Sequence, residues 1–230
     1  MRYPALFYAR RTPWVGLAVA LLAGCGSSST DNEIASKTAE QIVAMSRMAA
    51  DGAATVHVSG SVAGAGGPLS LDLQLVAGKG GQGRIAVDRL DFKLIQIGRF
   101  AYIKGNPAIY RRLGAPLAQE LRGGWLKVKT KGALASFAGL TNLDSLVDTT
   151  LTSHGTLARK GTSTLDGHEV VAIDDLAIGG TLYVAAQGSP YPLEVRTPGG
   201  GTIRFDHWNQ PVTLAAPTDV VNVNQLVRRR

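Results

Sequence analysis

The side chains able to do chemistry in this 230-residue chain are few and scattered. One thiol, Cys25, stands just past the apolar stretch 15–23. Four imidazoles follow, His57, His154, His168 and His207. A hydrolase needs a nucleophile, a base and a group that orients the base. A metal centre on one helix needs histidines at i and i+4. Neither spacing occurs. His57 lies in an alternating pattern between Val56 and Val58, His154 in a Ser-His-Gly loop, His168 after an Asp-Gly turn, and His207 beside Trp208 at a strand end. Each reads as a surface or packed structural histidine. No Gly-x-Ser-x-Gly elbow, Ser-x-x-Lys motif or phosphate loop is present. The adjacent acids Asp174 and Asp175 would point to opposite faces of a strand, so they read as a solvated turn rather than a carboxylate pair. The expectation is a protein with no catalytic residue, no metal site and no cofactor.

Cys25 calls for a different chemistry. Residues 1–14 hold three arginines and no acid, and the apolar run after them is about half of the roughly 20 residues a spanning helix needs. A positive region, a short apolar region and small residues before a cut site make a secretory signal. The residues around Arg10-Arg11 fit twin-arginine export poorly, which favours general secretion. Leu22-Ala23-Gly24-Cys25 resembles the bacterial lipobox. That resemblance implies a diacylglyceryl thioether on Cys25, cleavage before it, and anchoring on the extracytoplasmic face of the cell membrane. Two or three acyl chains hold stably where one is marginal. With Cys25 acylated no thiol is left for disulfides or thiolate chemistry. Residues 1–24 are then the signal peptide. Residues 25–33 are the lipidated cysteine and a polar leash too hydrophilic to order itself.

Beyond the leash, residues 34–51 repeat apolar side chains at three- and four-residue spacing, which predicts a helix ended by Gly52. The period then becomes two. Segments "TVHVSGSV" and "LSLDLQLV" flank the turn "AGAGGP", and "GRIAVD", "FKLIQIG" and "RFAYIKG" read as further antiparallel strands. A helix-like piece lies in 106–124, a short extended segment follows at Trp125, and residues 134–147 carry a Leu/Phe helical stripe. Strand-like segments resume from "GTLARKGTSTLDG" to "PVTLAAP". One domain over 34–227 is expected: an α+β antiparallel meander with helices on one face, followed by a basic tail, 228–230.

The net charge of +7 is concentrated at the two ends. Without residues 1–24 there are 21 basic residues against 17 acids, or +4. No basic patch with interleaved aromatics appears, which argues against a nucleic-acid partner.

These pieces together resemble the actinobacterial LppX/LprA/LprF/LprG-type lipoproteins, and more broadly the LolA/LolB carriers. The resemblance rests on the lipobox, "KTAEQIV", "AYIKG", Gly-Gly-Trp-Leu-Lys-Val, "LYVAAQGSPYPLEV" and "IRFDHWNQPVTLAAP". It implies a strongly curved antiparallel β half-barrel whose concave face is covered by helices. Between the two an apolar cavity would take the acyl chains of a lipid or glycolipid, and an envelope protein is a further candidate partner. The residues this suggests for the cavity are Val58, Leu71, Leu73, Leu94 and Tyr102, then Leu134, Phe137, Leu140 and Leu146, then Val171, Leu182 and Val184. The same side chains would equally fill a solid core, giving a scaffold that docks other proteins. Periodicity does not separate the two.

Overall fold

In the computed structural model, residues 31–64, 67–112, 124–130, 139–152 and 155–222 are described. The period-two segments pair into one open, curved sheet of twelve strands. Its first half is a meander: β1 Thr55–Gly64, β2 Gly67–Val76, β3 Gly80–Val87, β4 Leu90–Ile97, β5 Phe100–Gly105 and β6 Trp125–Lys129. Its second half is another: β7 Leu157–Leu165, β8 His168–Asp175, β9 Thr181–Ala185, β10 Pro192–Arg196 and β11 Thr202–Asp206. The expected single meander is thus two, joined where β11 pairs antiparallel with β1, so that β1 lies mid-sheet. At this seam the chains approach closely. Gly60 has φ of 143°, and a Cβ there would sit 2.0 Å from the Thr202 carbonyl oxygen, so only glycine fits.

The segment "PVTLAAP" forms no strand. Pro211 and Pro217 lack the N–H that a ladder needs, and the chain instead enters β12 at Val220–Asn222, which pairs parallel with β6.

Helices cover one face of the sheet. α1 spans Ala39–Asp51 and starts later than its periodicity suggests. The Thr38 hydroxyl accepts from the Gln41 N–H, and the Gln41 side chain accepts from the Thr38 N–H. This capping box fixes the start and leaves Ile34–Ser36 as a separate 3-10 turn. α2 is the short helix Pro107–Arg112. α3, Leu143–Leu151, begins at Asn142, whose side chain accepts from the Ser145 N–H. α1 and α3 pack side by side, and Arg47 of α1 pairs with Asp148 of α3 at 2.5 Å.

Alternation decides which side chains meet the helices. Val56, Val58, Leu71, Leu73, Leu75, Ile85, Phe92, Leu94, Ile103 and Phe205 join Leu143, Val147 and Leu151 of α3 in the main core. A second cluster under α1 holds Ile42, Val43, Val171, Ile173 and Val184, and Leu182 touches both clusters. The other face is polar. It includes Glu194, 1% exposed, whose two carboxylate oxygens meet Arg196 at 2.7 Å and Arg204 at 2.9 Å.

The end of the expected leash is not free. Asp31 bridges Gln187 between backbones, and the Asn32 amide donates to the carbonyls of Ala185 and Gly188 at 2.9 and 3.0 Å. Asp31 and Asn32 are therefore fastened to the connection leaving β9. Among the described residues no helix is long and apolar enough to cross a membrane.

Candidate functional site

The two core clusters do not close against each other at one end of the sheet, and a cleft of about 410 Å³ remains there. The sheet supplies its floor through Leu69 and Leu71 of β2, Ile173 of β8, Leu182 of β9, Val195 of β10 and Ile203 of β11. Leu146 and Leu151 of α3, Leu140 before it and Val43 of α1 form the roof. Leu182, Val195 and Ile203 each stand one residue from an end of their strand.

The mouth is built by the turn 176–180. Asp175 fixes it: one carboxylate oxygen accepts from the N–H groups of Ala177 and Ile178 at 2.8 and 3.0 Å, and the other from Gly155 at 2.9 Å. Gly180, with φ of 106°, lets β9 start against Arg196, whose carbonyl oxygen would lie 2.7 Å from a Cβ at that position. The turn presents Ile178 at the rim, 62% exposed. The polar rim is small: Thr149, Thr150, Thr181, Thr197, Asp175 and Arg196. Arg196 stacks over the Tyr183 ring at 4.6 Å and donates to its hydroxyl at 2.9 Å. Its hydrogen bond to Glu194 raises its pKa above the usual arginine value, against the opposing effect of burial.

Of the residues suggested by sequence, Leu71, Leu140, Leu146 and Leu182 line this cleft. Val58, Leu73 and Leu94 are packed in the main core, and Val171 and Val184 in the cluster under α1. Tyr102 stands on the opposite face from its neighbours Ala101 and Ile103, with the Lys127 ammonium 5.5 Å from its ring centre. Leu134 and Phe137 lie outside the described residues, as does Cys25. The cleft also uses Leu69, Ile173, Val195 and Ile203, which sequence reading missed. Each shares strand parity with a buried neighbour, and that parity was the available signal.

Nothing about the cleft suggests bond chemistry. No histidine is among its described lining residues, and both oxygens of Asp175 are engaged by backbone amides. The arrangement fits a binding site: an aliphatic slot with a small polar rim.

No protein-family model and no curated protein matches the sequence. Among solved structures, the chain is similar to LprF from Mycobacterium bovis, with 16% identity, a TM-score of 0.56, and 78% of this chain and 96% of that one covered. It also resembles the Mycobacterium tuberculosis lipoprotein LppX, with 20% identity, a TM-score of 0.49, and 77% and 98% covered. The twelve-stranded curved sheet with helices on one face is an LprF-type fold.

Proposed function

We propose that this protein is a non-enzymatic envelope lipoprotein, anchored through Cys25, that holds an acyl chain of a lipid or lipidated glycan between α3 and the sheet. The aliphatic cleft carries this reading. Its volume falls within the roughly 300–1,000 Å³ of small-ligand sites, and its walls offer no partners for a polar ligand body. Each CH₂ moved from water into such a slot gains about 0.8 kcal/mol. Thr149, Thr150 and Thr197 at the rim would meet a polar headgroup left at the mouth. The fold shared with LprF supports a carrier over a scaffold with a solid core, and the lipobox supports the anchor.

The test uses a fluorescent fatty acid as probe. The full chain should take it up with saturable, displaceable binding, and extracted protein should release lipid detectable by mass spectrometry. Leu146→Trp and Leu182→Trp, which fill the slot from roof and floor, should weaken uptake at least tenfold while melting cooperatively. Probe uptake unchanged in both variants, or an empty extract with no uptake, would sink the idea in favour of a scaffold. The anchor is tested separately. Cys25→Ala should lose acylation and leave the membrane fraction. If it stays as tightly bound as the parent, the lipobox reading fails.

A further inference from the structure

On the uncovered face of the sheet, far from the cleft, two histidines converge on one carboxylate. His57 of β1 is directly opposite Asp206 of β11 in the register. The His57 Nδ1 lies 2.7 Å from Asp206 Oδ1, and the Nδ1 of His207 lies 2.7 Å from the same oxygen. The ligand atoms of the three residues all fall within 4.8 Å of one another. On its other side His57 Nε2 lies 3.1 Å from Asp72 Oδ1 of β2.

We propose that His57, Asp206 and His207 form a binding site for a borderline divalent transition metal ion of the Zn²⁺ class, with Asp72 as the outer carboxylate that orients His57. Three observations carry the assignment. First, the donor set is two imidazole nitrogens and one carboxylate oxygen, which suits Zn²⁺, Ni²⁺ or Cu²⁺ and not the all-oxygen preference of Mg²⁺ or Ca²⁺. Second, Asp72 Oδ1 lies 3.1 Å from His57 Nε2, placed to accept from Nε2–H when Nδ1 gives its lone pair to an ion. A carboxylate holding the far nitrogen of a histidine ligand is the usual outer support of such sites. Third, the chain around His207 is tied to its neighbours. His207 has φ of 50°, a left-handed conformation uncommon for residues other than glycine, and the two residues after it are anchored. Trp208 stacks on Tyr191 at 4.5 Å between ring centres. The Asn209 side chain accepts from the Ala54 N–H at 2.7 Å and donates to the Tyr191 hydroxyl at 2.7 Å. The Asn209 N–H reaches the Thr55 carbonyl at 2.9 Å.

With three protein ligands the ion would keep at least one position for water or an outside ligand. His57 is 22% exposed and His207 60% exposed in their side chains, so the site opens outward. Burial works against a charge on His57, but hydrogen bonds to Asp206 and Asp72 prevail and raise its pKa.

The full chain, purified in detergent without a histidine tag and stripped with chelator, is titrated with Zn²⁺ by calorimetry in mildly alkaline buffer. Co²⁺ absorption reports geometry, and Cu²⁺ quenching of Trp208, next to His207, reports location. The expected result is one Zn²⁺ per chain and a tetrahedral Co²⁺ spectrum. His207→Ala, at an exposed position, should lose at least tenfold in affinity, and His57→Ala should lose more. Asp72→Asn should weaken binding by about 10–100-fold without changing stoichiometry. His154→Ala and His168→Ala should bind as the parent does. The proposal is overturned if no stoichiometric binding is seen, or if His207→Ala and His57→Ala bind Zn²⁺ like the parent. In either case the three residues are linked by protons alone.

Discussion

Asp174 and Asp175 show how much one step along a strand decides. Asp174 points to the outer face, where the Lys160 ammonium lies 2.7 Å away and the Thr181 hydroxyl donates at 2.8 Å. The Lys160 hydrogen bond, first of all, holds its carboxyl below the usual aspartate range, with burial opposing and Thr181 assisting. A carboxyl depressed in the folded state stabilises it at every pH above the unfolded value, near 3.9, and that contribution is lost as pH falls through the lower folded value. Asp174→Asn should therefore melt earlier than the parent at neutral pH, and the gap should close in strong acid. Melting scans across that range check this, and a gap that widens toward low pH would contradict it. The sequence made the opposite facing of the two acids legible, since alternation requires it. It did not reveal that Asp175 ties down the mouth turn, because its partners Gly155 and Ile178 come from two different loops. Tyr102 is the converse case. Phe100, Ala101, Tyr102 and Ile103 are all apolar, so either parity could face the helices. Only the pairing of β5 with β6, which brings Lys127 opposite Tyr102, decides it.

At the scale of elements, the seam between β1 and β11 makes two meanders into one sheet. Neighbouring strands within each meander were readable from turns such as Gly98-Arg99 and Asp166-Gly167, because such pairings are local. The closure of β11 onto β1 spans some 150 residues of chain, as the His57–Asp206 pair illustrates with a separation of 149. No periodicity encodes it, and for the same reason the His57, Asp206 and His207 cluster was invisible among four apparently isolated histidines. Gly60 is the local mark of that closure. Gly60→Ala places a methyl against the Thr202 carbonyl at a φ that side chains avoid. It should cost about 1–3 kcal/mol or more of unfolding free energy, read by urea denaturation, with amide exchange rising in both β1 and β11. A loss confined to β1 would mean that the seam adjusts without separating. The capping box at Thr38 was present in the residues too, as Thr-x-x-Gln, yet the apolar spacing of Ile34 and Thr38 hid the break between the 3-10 turn and α1.

At the scale of the whole molecule, the register sets everything named above at one end of the sheet or the other. The cleft mouth lies where β9 begins and β10 ends. The Asp31–Gln187 fastening and the His57 cluster lie at the far end, beyond about 17 Å of β9. From Cys25 to Asp31 the backbone reaches at most about 20 Å. With Cys25 acylated as proposed, the fastening gives the molecule a compass bearing. On that proposal the end with Gln187 would be moored to the bilayer and the mouth would look away from it. An acyl chain entering from the home membrane would need the body to tip over on a short mooring line, whereas exchange with a partner standing opposite needs no such turn. Single thiols at Gln187→Cys and Ile178→Cys, each fluorescently labelled on the anchored protein, read the bearing directly. Quencher-bearing lipids should darken the label at 187 strongly and leave the one at 178 bright. The reverse pattern would mean that the protein loads face down.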